Sequence, residues 1–130
     1  MRVYWEDTDA GGVVFYANYL KFFERARTEW LRELGFSQHE MATRLGVMFV
    51  VADTAVRYLR PARLDDLLHV SVQVVQAGRA SLLIEQQARR GDDLLASGSI
   101  RIGCVACAAG ADGSFGVRRI PDEILERIQT

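Results

Sequence analysis

The chain has 130 residues, 49% of them hydrophobic and 25% charged, with a net charge of −1. That is one domain's length with enough apolar side chains for its own core, which excludes a disordered segment. Acids and bases are interspersed, so no basic stripe favours nucleic acid, and no run of roughly eighteen apolar residues offers a membrane span. The first residues also lack the apolar stretch of a secretion signal, so a cytoplasmic protein is expected.

Val3, Tyr4 and Trp5 predict a short first strand. The chain starts almost directly at it, so a few further residues are expected upstream. The strand feeds the stretch Glu6-Asp7-Thr8-Asp9-Ala10-Gly11-Gly12, followed by Val13, Val14, Phe15 and Tyr16. Three acids beside two glycines make a poor piece of core and a candidate reaction site. Tyr19, Phe22 or Phe23, Ala26, Trp30 and Leu34 then recur at helical spacing, predicting an amphipathic helix over residues 17–34 with Gly35 as its left-handed cap. Phe22, Phe23 and Trp30 are expected in the core rather than against a substrate.

Ser37 with Glu40 three positions on matches a capping box, so a second, short helix should run to Leu45 and stop at Gly46. The period then changes to two. Residues 47–59 read as a strand ended by Pro61, and residues 63–66 as a turn. Residues 68–76 read as a half-buried strand with Leu68, Val70, Val72 and Val74 on one side and His69, Ser71 and Gln73 on the other. Two more strands, over residues 80–90 and 94–109, complete a four-stranded antiparallel meander. Residues 110–116 form a glycine-rich loop, and Pro121 opens a last helix with Asp122 and Glu123 in its first turn.

No repeat or linker divides the chain, so residues 1–130 form a single α+β domain, one sheet on one long helix. Such a layer leaves sheet edges and apolar surface uncovered, and association with a second copy is expected. Cys104 and Cys107 have the spacing of a zinc half-site or a redox pair, but the only histidines to complete a metal site are His39 and His69. Two buried strand thiols in a reducing compartment are the expectation, with both histidines on the surface.

Three blocks of this sequence, YWEDTDAGGVVFYANYLKFFERARTEWLR (4–32), RPARLDDLL (60–68) and IPDEIL (120–125), resemble the hot-dog-fold thioesterases. The resemblance is strongest to the acyl-CoA thioesterases associated with the Tol-Pal system, relatives of the 4-hydroxybenzoyl-CoA thioesterases. It covers essentially the whole chain; the first block is long and specific, and the other two add weight. It implies a curved antiparallel sheet wrapped around the long helix, in homodimers or homotetramers with active sites at the chain–chain interface. The implied reaction is hydrolysis of acyl-CoA with no metal and no bound cofactor. Acyl-CoA, further copies of the chain, and acyl carrier protein or lipid-synthesis enzymes are the implied partners.

Residue by residue, Asp9 matches the family's catalytic aspartate, acting either as nucleophile or as general base. Without the surrounding block it would read as a turn-capping acid. Asp7 is expected to be structural and Glu6 to lie on the surface. The Tol-Pal-associated enzymes usually carry a histidine seven residues after the aspartate, where this chain has Tyr16. A histidine can exchange protons near neutral pH, whereas tyrosine, with an ordinary pKa of about 10, stays protonated. The 4-hydroxybenzoyl-CoA relatives have tyrosine there and use its backbone N–H, so Tyr16 is assigned a polarising amide among the N–H groups of residues 15–18, with its phenol lining the pocket. Arg79 and Ser81 match the family's nucleotide-contacting region, and the arginine fork suits phosphate. Arg89 and Arg90 are weaker candidates for the same role. The missing histidine also motivates a rival reading, a non-catalytic acyl-CoA or acyl-carrier-protein binding module.

Overall fold

The computed structural model describes residues 1–108 and 110–129. Helix α1 (Asn18–Glu33) spans 16 residues and buries Asn18, Tyr19, Phe22, Phe23 and Leu31, a stripe at the predicted spacing. Trp30 is half-buried against the same core. Complete burial of Phe22 and Phe23 contributes about 1.5–3 kcal/mol for each ring. Gly35 follows with φ +98°, the left-handed position in which its missing Cβ avoids a steric penalty. The next segment is α2 (Gln38–Glu40), widened into a π turn over Met41–Leu45 and ended by Gly46 at φ +70°. Ser37 Oγ accepts the Glu40 N–H, so half of the expected capping box forms. The Glu40 carboxylate reaches forward to Arg44 instead of back.

Five strands form one antiparallel sheet: β1 (Val47–Tyr58), β2 (His69–Val70), β3 (Gln73–Ala77), β4 (Ser81–Arg90) and β5 (Asp93–Ala106). The lateral order is β1-β5-β4, with both β2 and β3 on the far side of β4. The expected four-strand meander therefore needs correction, because β1 pairs with β5 (Val47 opposite Ala106, Tyr58 opposite Ala96) rather than with its successor. Residues 59–68 are no hairpin. They cross to the other edge, anchored by the Leu59 and Arg60 N–H groups on the Leu95 carbonyl and by Arg90 on Asp66 at 2.8 Å.

The predicted strand over 68–76 is also interrupted, although its alternation holds: Leu68, Val70, Val72 and Val74 pack on the core. The cause of the break is Gln86, fully buried beneath α1. Its amide nitrogen donates to the carbonyls of Phe23 (3.0 Å) and Ser71 (3.3 Å), and its Oε1 accepts from Arg27 at 2.8 Å. A buried amide satisfied on every side ties helix, β4 and the β2–β3 junction together.

The last expected strand ends at Ala106, and its predicted limit at Ala109 lies outside the described residues. Cys104 is buried in β5, and Cys107 is half-buried just beyond it. Burial, and then the neighbouring Cys107, push the Cys104 thiol above its ordinary value. After the glycine-rich turn, Val117 pairs with Val105, the Ile120 N–H reaches the Arg79 carbonyl, and α3 (Asp122–Gln129) buries Ile124.

The expected first strand is reduced to a single bridge between Arg2 and Leu67, and Trp5–Asp7 form a 3-10 turn. Asp7 explains this. Its carboxylate, 4% exposed, accepts the Tyr4 N–H at 2.9 Å and the Asn18 side-chain amide at 2.7 Å, and its carbonyl accepts the Phe15 N–H. One buried acid thus curls the chain before it and staples that curl to the first residue of α1. Loop residues 8–17 are held at both ends.

Two expectations follow from this packing. A Cβ at Gly98 of β5 would lie 2.8 Å from Phe23 Cε2, so Gly98→Ala should lower stability by about 1–3 kcal/mol through overpacking, measured by denaturant unfolding. Asp7→Ala would leave the buried Asn18 amide without its acceptor and free the Tyr4 N–H, and the same measurement should show a loss of about 1–3 kcal/mol. An unchanged unfolding midpoint would contradict either account.

Candidate active site

The loop held by Asp7 closes as a miniature hairpin. Thr8 pairs with Val14, the Asp9 N–H donates to the Val13 carbonyl at 2.9 Å, and the Gly12 N–H returns to the Asp9 carbonyl at 3.0 Å. Gly12 sits at φ +79°, which a side chain would resist. At Gly11 an added Cβ would come within 3.2 Å of Asp9 Oδ1, the atom that accepts the Gly11 N–H at 2.9 Å. Both glycines thus serve a turn that presents the Asp9 carboxylate to solvent on rigid backbone. The second arm of the hairpin leans on the crossover segment, with Val13 pairing with Arg63 and the Val14 N–H donating to Ala62. Partial burial works to raise the nearby Asp66 carboxyl, but the Arg63 N–H and the Arg90 guanidinium outweigh it, so Asp66 stays ionised and holds the turn.

The hairpin runs directly into α1. Of the four amides at the helix entry, Phe15 donates to Asp7 and Asn18 donates to Phe15. The N–H groups of Tyr16 and Ala17 have no acceptor among the described residues. The predicted set of polarising amides over residues 15–18 therefore narrows to two. Beside them lies a cavity of about 270 Å3 walled by the phenols of Tyr16, Tyr19 and Tyr58, by Val14 and by residues 59–61. Burial pushes the Tyr19 and Tyr58 phenols above their ordinary values, so both remain proton donors. Tyr16 as a whole is 63% exposed, and Phe15 packs against its ring at 4.9 Å.

Arg79 and Ser81 lie elsewhere. The hairpin that carries Asp9 leans through Val13 and Val14 on residues 62–63, which are tied through Asp66 to the Arg90 end of β4, whereas Ser81 begins that strand. The strand between is about 30 Å long. One chain therefore does not bring Asp9 and Arg79 together. The Arg79 guanidinium has no hydrogen bond or ion pair among the described residues, while Arg89 binds Gln87 and Asp92, and Arg90 binds Asp66 and Asp93. His39 and His69 are exposed, as expected. Among the described residues no three of His, Cys, Asp and Glu are grouped to hold a metal ion, and no helix is long and apolar enough to cross a membrane.

Tyr58 and Asn18 were not singled out from the sequence. Asn18 carries a local signal, being a polar residue at the buried start of an apolar helix. Tyr58 carries none, because its neighbours at the site lie about forty positions away along the chain.

Residues 11–97 match the model of the thioesterase superfamily. The chain is 47% identical over 105 residues to the acyl-CoA thioesterase YbgC of Haemophilus influenzae, covering 81% of this chain and 77% of that protein. It is 46% identical over 107 residues to the acyl-CoA thioester hydrolase YbgC of Escherichia coli, covering 81% and 78%. A probable thioesterase from Bartonella henselae superposes with a TM-score of 0.84 at 34% identity, over 93% of this chain and 95% of that one. The curved sheet on a central helix is the hot-dog fold, and the chain belongs to the thioesterase superfamily as a thioester hydrolase.

Proposed function

We propose that the protein hydrolyses acyl-CoA thioesters to the free acid and coenzyme A, with Asp9 as the reacting carboxylate. The observation that carries this reading is the juxtaposition just described. An exposed carboxylate stands on a pinned hairpin that leads into a helix entry with two unpartnered amides, beside an aromatic cavity. The carboxylate can attack the thioester carbonyl to form an anhydride that water then opens, or it can take a proton from the attacking water. In either route the tetrahedral intermediate expels the coenzyme A thiolate, which takes up a proton. The Tyr16 and Ala17 N–H groups would receive the developing oxyanion, at about 2.7–4 kcal/mol for a donor of this kind. The cavity of Tyr16, Tyr19 and Tyr58 would take the acyl group.

Two features support a homodimer or homotetramer as the working form. Strand β1 is an unpaired edge with Val50 and Val51 exposed, and the separation of Arg79 from Asp9 is relieved if a second copy supplies Arg79 and Ser81 to the coenzyme A phosphates. The reading places the protein in the cytoplasm, where acyl-CoA is found and where Cys104 and Cys107 stay reduced. Acyl carrier protein presents the same thioester and is the protein partner this chemistry allows.

A panel of short-chain, long-chain and aromatic acyl-CoAs, with acyl carrier protein thioesters beside them, assayed by free-thiol detection, tests the proposal. Asp9→Asn should lower kcat by about 10²–10⁴-fold. Equal turnover by variant and parent would remove Asp9 from the chemistry, and tight binding by the parent without thiol release would favour a binding module. Arg79→Ala should raise KM for acyl-CoA about tenfold or more, the worth of one charge-assisted contact, with kcat nearly retained.

A further inference from the structure

The Tyr58 hydroxyl, at the end of edge strand β1, donates to the Tyr16 carbonyl at 3.0 Å. Among the described residues the only other group reaching that oxygen is the Tyr19 N–H, at a long 3.4 Å. A trans peptide points its N–H opposite to its C=O, so fixing the Tyr16 carbonyl also fixes the direction of the Ala17 N–H, one of the two unpartnered amides. A hydrogen bond accepted by a carbonyl polarises the whole peptide and makes its N–H a stronger donor. The Tyr58 ring is itself held edge-on by Tyr16 (6.2 Å, 88°) and by Tyr19 (5.5 Å, 62°). Burial, and then the neighbouring Tyr16, keep its phenol protonated and therefore a donor.

We propose that Tyr58 is a positioning residue for the oxyanion donors: its hydroxyl, bonded to the Tyr16 carbonyl, orients and polarises the Tyr16–Ala17 peptide whose N–H receives the thioester oxygen. The proposal rests on the acyl-thioester reading of the site and adds a residue from β1 that no local pattern marks. It separates two parts of one side chain. The hydroxyl acts through the peptide on the transition state, and the ring forms cavity wall.

Tyr58→Phe removes the hydroxyl and keeps the ring. It should lower kcat about three- to tenfold, the worth of one modest hydrogen bond, while KM stays within about twofold of the parent. Tyr58→Leu removes both, and should show the same fall in kcat with a raised KM. An Asp9→Asn background allows bound acyl-CoA to be observed without turnover. There the 13C-labelled thioester carbonyl stretch should move to higher frequency on adding Tyr58→Phe, because its donor has weakened. A change confined to packing would leave that band in place. Unchanged kcat in Tyr58→Phe, or an unmoved band, overturns the role of Tyr58. Full turnover by Asp9→Asn alone would instead overturn the reading of the site, so the two failures are distinguishable.

Discussion

One curved sheet can wrap only part of one helix, and most of this molecule's properties descend from that limit. The sheet covers the face of α1 that carries Phe22, Phe23 and Leu31, and it spends its most apolar strands, β4 and β5, in doing so. Strand β1 is left at the edge, largely exposed on both faces through its middle. The entry to α1 remains open, with the Asp9 hairpin in front of it and a tyrosine-lined cavity beside it. The same wrapping rests the Asp9 hairpin on the crossover tied to the Arg90 end of β4, and leaves Arg79 just before the other end of that strand. A reaction that needs a carboxylate at one place and a phosphate-binding cation near it cannot be completed by this chain alone under the proposed reading.

Precision at the open end comes from polar groups rather than from the core. Asp7 is buried and fully engaged, receiving N–H donors from both sides of the loop that Asp9 occupies. Asp7 and Asp9, two positions apart, could hardly differ more in surroundings: Asp7 is closed off as a structural clamp, whereas Asp9 is presented to solvent on a turn relieved by glycine. Gln86 does the corresponding work inside, where its amide joins α1 to two strands and breaks the β2–β3 ladder. In each case a polar side chain fixes geometry that apolar packing alone would leave free to slide.

Much of this was legible in the sequence, because the signals involved are local. The helical stripe, the glycine stops at Gly35 and Gly46, the alternation from Leu68 to Val74 and the helix after Pro121 all appear where periodicity places them. The acid-glycine stretch announced itself by composition, and it does form a turn that exposes the Asp9 carboxylate. What escaped depends on partners distant along the chain. A period of two says nothing about which strand β1 will pair with, and the turn expected over residues 63–66 forms inside a crossover that local pattern does not reveal. The first strand was lost to Asp7, whose carboxylate competes successfully for the Tyr4 N–H. Tyr58 was invisible because its hydroxyl meets a carbonyl on a different element.

The central claim is that the site is divided between two chains, with Asp9 from one and Arg79 from the other. Its most direct test is complementation between Asp9→Asn, nearly inactive, and Arg79→Ala, reduced to about a tenth of parent turnover or less at acyl-CoA concentrations far below the parent KM. In a two-fold assembly, mixing and reassociating the two variants makes hybrids with one intact site, and about a quarter of the parent activity should return. Recovery of that size would place the two groups on different chains. A mixture no more active than its components, with exchange of subunits verified, would contradict the account.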